Sequence, residues 1–388
     1  MDGLIYLDNA ATAWPKPQNV YDFAIDFYHK TGVNPGRSGF DMAIEAGNII
    51  EDLRKRLTKF FGGDEDTPER LCYGYNATDA LNLIIQGLLS EGDHVITTNV
   101  EHNSVIRPVN TMVRDGGVEA TYVPFDSCGF IDPEAIRRAI KPNTKLVIVN
   151  HGSNVLGTVQ PLREIGTVCK EKGVLYAADT SQTAGVVPIN MKEMNLDVIA
   201  FTGHKSLMGF TGIGGLCVRK HLDIKQTRSG GTGVRSAHPY HLEEYPYRME
   251  YGTPNMVGIA SLWAGQDFLD QEGIENIHTR ELQLARKLVD GLREIKGVEI
   301  YGCEKMDNHL STITINVNGM EAGDVGIMLD VDHDIATRTG LHCAPLVHKQ
   351  LGLVERHGGV RFSIGAFNTD ADVEAAIRAM HEIAGNVK

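Results

Sequence analysis

The six cysteines (Cys72, Cys128, Cys169, Cys217, Cys303 and Cys343) form no CxxC pair and are scattered along 388 residues. Neither a disulfide framework nor a zinc site is therefore expected, and most of the thiols read as small buried hydrophobes. The chain has no uninterrupted apolar run of about 18 residues, so it offers no candidate for a membrane-spanning helix. Its start, MDGLIYLDNAAT, lacks a basic segment followed by an apolar run and lacks a small-residue cleavage site, and a cytoplasmic protein is expected. Basic charge is in deficit: 37 Lys and Arg stand against 50 Asp and Glu, for a net charge of -13 and a pI of about 5.6. Nucleic acids and anionic membranes are bound through basic surface, so neither is expected as the main partner. The phosphate-binding patterns GxGxxG and GxxxxGK[ST] are missing, and with them any support for dinucleotide or P-loop nucleotide binding. Internal repeats and low-complexity tracts are missing too.

What remains is an ordinary globular composition, 42% hydrophobic and 22% charged. The length exceeds what one core usually serves, so two domains are expected: residues 1–255 as a large domain and 256–388 as a small one, with residues 1–20 or so free to pack against the latter. The most informative stretch runs from Val174 to Lys205. VLYAA and DVIAF are short apolar runs closed by polar residues, the pattern of strands buried on both faces, with a loop and a helix expected between them. The first run delivers Asp179 and, three residues on, Gln182. The second delivers Thr202, His204 and Lys205. A carboxylate and an amine thus share the carboxyl edge of one sheet, where open α/β sheets bind ligands. An acid that holds a ring nitrogen protonated and a lysine that forms a Schiff base are the two groups pyridoxal phosphate needs from its protein.

Other segments point to the same edge. LCYGY reads as a strand and DALNLIIQGLL as a helix, so Asn76, Ala77 and Thr78 lie at a helix N-terminus, where free amides and the helix dipole favour an anion, although an ordinary N-cap threonine is by itself the commoner case. DHVITTNVEHNS is a strand ending in Glu101 and His102; a lone histidine is more often structural, yet this one closes a strand on the right side. ATYVPF and KLVIVNHGSN flank the helix DPEAIRRAI in the rhythm of a parallel sheet, and Asn154 ends the second. The glycine-rich TGVNPGRSGF carries Asn34 and Arg37, either in a plain turn or close to a ligand. RSGGTGVRSAHPYHLEEYPYRMEYGTPN is a long irregular stretch whose aromatics favour a packed, functional loop. From Met256 onward two helices, the strands VEIYG, STITINV and VRFSIGA, and a final helix opened by a Thr369/Asp372 capping box give an α+β unit. Among the cysteines Cys343 stands out. It follows His342 directly and Arg338 by five residues in a glycine-containing loop, with Arg361 further on. Cationic neighbours raise a thiol's thiolate fraction, although a buried inert cysteine is the ordinary alternative.

SNVLGT, DTSQ, TGHKS, YGTPN and RTGLHCAP, in that order, resemble the cysteine desulfurases and selenocysteine lyases among the class-V aminotransferase-like pyridoxal phosphate enzymes. The resemblance runs from YLDNAAT to RFSIGAFNT. It implies an α/β protein of the fold-type I transferase class: a large domain with a mainly parallel seven-stranded sheet plus a smaller α+β domain. It further implies pyridoxal 5'-phosphate, with its phosphate at Ala77 and Thr78, His102 stacked on the ring, and Asn154 and Gln182 at the phenolic oxygen. Asp179 would meet the ring nitrogen, Lys205 would carry the cofactor and act as base at Cα, and Thr202 and His204 would hold phosphate and lysine in register. Thr253 would reach the phosphate of the other subunit in a homodimer. The substrate implied is L-cysteine, or L-selenocysteine as the alternative. Arg361 would grip its carboxylate, with Asn154, Asn34 and Arg338 also at the substrate, and Cys343 would take the sulfur as a persulfide, leaving alanine. The sulfur would pass to an acceptor protein or reductant, for iron–sulfur clusters or thio-cofactors. The short loop before Cys343 is similar to the type II branch. Three departures are visible: Ala77 replaces the usual threonine, Leu341 stands where type II members often have histidine, and Gly36 precedes Arg37 where histidine is common. Another class-V lyase or transaminase is the wider alternative. A non-enzymatic regulator would need a docking or DNA-binding segment, and none is evident.

Overall fold

The computed structural model describes residues 3–35, 39–302 and 305–385. Its first part runs β1 (Ile5–Tyr6), α1 (Gln18–Thr31), α2 (Asp41–Phe60), β2 (Leu71–Gly74), α3 (Ala77–Leu88), β3 (His94–Thr98), α4 (Asn103–Gly116) and β4 (Glu119–Val123). It continues with α5 (Pro133–Ala139), β5 (Thr144–Asn150), α6 (Leu162–Lys172), β6 (Leu175–Asp179), β7 (Val198–Thr202) and β8 (Gly214–Val218). Seven of these strands make one sheet in the order β2-β8-β7-β6-β5-β3-β4, parallel except for β8, which runs against both neighbours. The apolar runs read as doubly buried strands are so. Along β7, Val198 and Ala200 enter one core with Leu81, Ile84 and Leu216, while Ile199 and Phe201 enter the other with Phe61 and Tyr176. Alternate residues point to opposite faces, so the two cores are the two covered faces of the sheet.

The helix expected between β6 and β7 is not there: residues 180–197 form successive turns. Gly185 explains part of this. Its φ is +103°, and a Cβ on it would lie 2.2 Å from Ser206 O, so the chain has to pass hard against the residue that follows Lys205. The expected strand ends also shift. His102 lies four residues beyond β3 and caps α4, its Nδ1 accepting from Ser104 N at 3.1 Å. Asn154 lies four residues beyond β5. The cap of α3 is Asn76, which accepts from Asp79 N at 3.0 Å.

The stretch 219–255 has neither helix nor strand, as its composition predicts, and an ion pair with one buried member helps to tie it down. Arg54 on α2 is 1% exposed and donates to both carboxylate oxygens of Glu250, at 2.8 and 3.2 Å, while Glu250 also accepts from Tyr73 N. The second part comprises α7 (Met256–Glu272), α8 (Ile274–Arg293), β9 (Val298–Tyr301), β10 (Thr312–Val317), α9 (Ala322–His333), β11 (Ile335–Ala336), β12 (Arg338–Gly340), α10 (Pro345–Gln350), β13 (Gly359–Ser363) and α11 (Asp370–Gly385). Strands β12-β13-β10-β9 form an antiparallel sheet. The capping box at α11 forms with an aspartate in the usual glutamate role: Thr369 N donates to Asp372 at 2.9 Å, and Asp372 N to Thr369 Oγ1 at 3.4 Å. A third core holds Leu288, Ile315, Phe362, Val373 and Met380 together with Leu7 from the N-terminal segment, whose β1 pairs with β11. Met256, Ile259 and Leu262 of α7 instead join the core of the seven-stranded sheet. Among the described residues no helix is long and apolar enough to cross a membrane, and no group of metal-binding side chains occurs.

Candidate active site

A cavity of about 230 Å³ opens where β5, β6 and β7 end and α3 begins. Ala77 and Thr78 line it from the first turn of α3, His102 from the N-cap of α4, and Asn154 from the turn after β5. Asp179 and Gln182 reach it from the end of β6, Thr202, His204 and Lys205 from the end of β7, and Arg338 and Arg361 from the antiparallel sheet. Cys343 stands beside it, its Sγ 3.4 Å from Arg338 Nη2. Ala77 and Arg361, 284 positions apart in the chain, thus meet at one cavity. Thr253 and Asn34 do not join them. Both line a second cavity of about 430 Å³ between α2, β2 and the 219–255 stretch. Arg37 and Gly36 lie outside the described residues.

Burial sets the electrostatics. The Lys205 amine is pushed down to about 8 by loss of solvent, with Arg361 and Arg338 adding to the effect and Asp179 and Cys343 opposing it. His102 falls to about 4, first through burial and then through Lys205, so the ring is neutral. His204 falls to about 4 for the same two reasons, with Lys16 contributing. Asp179 accepts from both the amide and the hydroxyl of Ser181. Arg361 is buried, donating through Nη1 to Asn154 O at 3.1 Å and through Nη2 to Asp8, which leaves Nε without a partner. Asn154 donates Nδ2 to His342 O at 2.6 Å and keeps Oδ1 free. Thr202 Oγ1 and His204 Nδ1 are likewise buried without partners.

One expectation is corrected. His342 was to serve as a cationic neighbour of the thiol, but its ring is buried and held well below its usual range, first by burial and then by Arg361. Among the described residues, Arg338 alone meets Cys343 Sγ as a cation within hydrogen-bonding distance. The structure also brings in residues that no sequence motif singled out. Asp8 pairs with Arg361 across 353 positions. Thr12 Oγ1, Ala13 N and Lys16 Nζ all donate to His204 O, fixing the peptide just before Lys205. Asp8 and Thr12 sit in YLDNAAT and Lys16 just after it, but only the fold reveals their partners.

Beneath Asp179 lies Glu101, fully buried. Its Oε1 accepts from Thr98 Oγ1 at 2.6 Å and Asn150 N at 2.9 Å, while Oε2 has no partner. Burial pushes this carboxyl up to about 8, against the two hydrogen bonds, and Asp179 raises it further. The folded protein therefore holds a proton here that the unfolded chain releases near 4.5, so this group costs stability progressively as pH rises from about 4.5 to about 8. Glu101→Gln copies the neutral acid and removes the cost. Its melting temperature is expected to match the parent near pH 4.5 and to exceed it increasingly toward pH 8.5; a difference independent of pH would contradict the assignment.

The parallel sheet, the amine and carboxylate at its edge and the arginines facing them define an α/β enzyme of the aminotransferase kind. Residues 5–376 match the class-V aminotransferase family, and the chain belongs to it. It is 32% identical over 386 residues to a probable cysteine desulfurase of Methanothermobacter thermautotrophicus, covering 98% of this chain and 95% of that protein. A cysteine desulfurase of Haloferax volcanii is 31% identical over 385 residues, covering 97% and 88%. Among solved structures, the apo cysteine desulfurase of Thermococcus onnurineus NA1 superposes with a TM-score of 0.92 at 33% identity, over 99% of this chain and 95% of that one. The cysteine desulfurase CsdA of Escherichia coli, in an S-sulfonic acid form, gives 0.88 at 26%, over 98% and 94%.

Proposed function

We propose that the protein is a pyridoxal phosphate-dependent cysteine desulfurase that converts L-cysteine to L-alanine and receives the sulfur on Cys343. The observation that carries the reading is the thiol held 3.4 Å from Arg338 at the rim of a cavity that also contains Lys205 and Asp179.

The cavity suits the cofactor. An anion at the first turn of α3 would meet free amides and Thr78, next to the unpartnered Thr202 Oγ1 and His204 Nδ1, where Ala77 offers only its backbone. Asp179 is available to a ring nitrogen, neutral His102 to a ring face, and Lys205 to the carbonyl carbon. Gln182 Nε2 donates one hydrogen to Ala10 O at 2.9 Å and Asn154 Nδ2 one to His342 O at 2.6 Å, so each amide keeps a second N–H for a phenolic oxygen. When bound, the cofactor supplies an electron sink conjugated to the substrate Cα.

The chain's own residues supply the rest. Arg361 Nε is a buried donor without a partner, suited to the substrate carboxylate beside Asp8. The Lys205 amine, freed by the incoming substrate, is held down at about 8 so that a fraction is unprotonated, and it is tethered at the reacting carbon, so it takes the Cα proton and returns it. Cys343 thiolate attacks the substrate sulfur: the S–S bond forms, the Cβ–S bond breaks, and Cβ collects a proton to become the alanine methyl group. Cysteine and protein thiol thus give alanine and protein persulfide. The sulfur is released to a reductant or to the thiol of an acceptor protein.

The same reading includes a two-fold dimer. The second cavity, which holds Thr253 and Asn34, is separate from the first, and Tyr75 on its rim and Ile44 on α2 are exposed apolar side chains. Light scattering that found a fully active monomer would remove this part. The activity is tested by incubating the loaded protein with L-cysteine and with L-selenocysteine. Equimolar alanine and sulfide from cysteine with a reductant is the expected result. Alanine from selenocysteine alone would assign a selenocysteine lyase instead.

A further inference from the structure

Cys343 sits on a turn that L-amino acids adopt only under constraint. Both His342 and Cys343 are left-handed, with φ of 49° and 57°. L-residues are disfavoured in this region, so the surroundings have to hold the turn. Two anchors act on the backbone: Asn154 Nδ2 donates to His342 O at 2.6 Å, and Asn103 N donates to Cys343 O at 2.7 Å.

The third anchor is the His342 ring. Its Nε2 lies 3.1 Å from Arg338 O, and a carbonyl only accepts, so Nε2 carries the proton. Nδ1 is then a bare lone pair. The atom 3.2 Å from it, His348 Nε2, is therefore the donor, and one carbonyl fixes the tautomers of both rings. His348 Nδ1 is left unprotonated, buried and without a partner, in keeping with a ring that burial holds neutral, down at about 4. His348 itself is completely buried on α10 and does not line the active-site cavity.

We propose that His348 is a positioning residue for the thiol: its Nε2–H fixes the His342 ring, the ring fixes the left-handed turn, and the turn keeps Cys343 Sγ beside Arg338. This rests on the desulfurase reading and deepens it. Nothing in the chain of contacts requires His348 to meet substrate or cofactor.

The test compares His348→Leu, which fills most of the space but donates nothing, with His348→Gln, whose amide reaches about as far as Nε2. The leucine variant is expected to keep its cofactor content and its KM for cysteine, since Arg361 and the phosphate-facing residues are untouched. Its kcat falls about 10- to 100-fold, the order expected when a reacting atom is misplaced by about 1 Å. His348→Gln recovers most of that loss. Parent kcat in His348→Leu overturns the proposal, as do equal losses in both variants, which would make bulk rather than the donated proton decisive. Should the leucine variant fail to fold, His348→Asn, whose amide is one methylene too short, takes its place against His348→Gln. Cys343→Ser run alongside separates the failures. Activity in that variant sinks the desulfurase reading, whereas an inactive Cys343→Ser with a fully active His348→Leu sinks only the role of His348.

Discussion

Cys343→Ser is expected to fold, to bind the cofactor with parent absorbance and to respond spectroscopically to L-cysteine, yet to form alanine at least about 10³-fold more slowly. The substitution changes one atom. Serine keeps the shape and can still accept from Arg338, so the left-handed turn with its anchors at Asn103 and Asn154 should persist. What is lost is the nucleophile, because a hydroxyl stays protonated where a thiol yields a fraction of thiolate. Steps at Cα depend on Lys205 and not on the thiol, so exchange of the Cα hydrogen of cysteine with solvent deuterium should continue. Retention of the parent alanine rate would remove Cys343 from its role. Loss of exchange together with alanine would mean that the substitution had damaged the site as a whole.

Lys205→Ala is the second large effect. The amine is pushed down to about 8 by burial, which keeps a useful neutral fraction near physiological pH, and two arginines contribute to that. Removing it takes away both the attachment point and the base. Cofactor should then be lost on desalting, borohydride treatment should leave no covalent adduct, and alanine formation should fall by about 10³-fold or more. Exchange at Cα should cease too, which separates this variant from Cys343→Ser. A borohydride-stable adduct in Lys205→Ala protein would show that another lysine carries the cofactor. Lys16 is the one to check, since it is buried and donates to the carbonyl of the residue before Lys205.

The two variants also mark how far the chain can be read without its fold. VLYAAD and DVIAFT were legible because a strand covered on both faces must be apolar throughout, and the polar residue that ends it then sits at the sheet edge. Asp179 and Lys205 follow from that alone. Cys343 was legible by its company, but only one of its two basic neighbours in the loop meets it. Adjacency in sequence does not say which way a side chain points, and two successive left-handed residues turn the His342 ring inward to His348, leaving Arg338 as the cation. The Asp8–Arg361 pair was invisible for a different reason: its members are 353 positions apart, and no local pattern links them. The missing helix between β6 and β7 reflects a demand made elsewhere, since Gly185 must pass within contact of Ser206, and tertiary packing there overrides local preference.

The central claim is that sulfur leaves cysteine by way of Cys343. A single turnover tests it: loaded protein is mixed with less than one equivalent of L-cysteine without reductant, quenched, digested and analysed by mass spectrometry. The account predicts one alanine formed per cysteine consumed and a matching fraction of the Cys343 peptide heavier by one sulfur atom, with Cys72, Cys128, Cys169, Cys217 and Cys303 unchanged. Alanine released while the extra sulfur sits on another cysteine, or appears only as free sulfide with Cys343 unmodified, would contradict it.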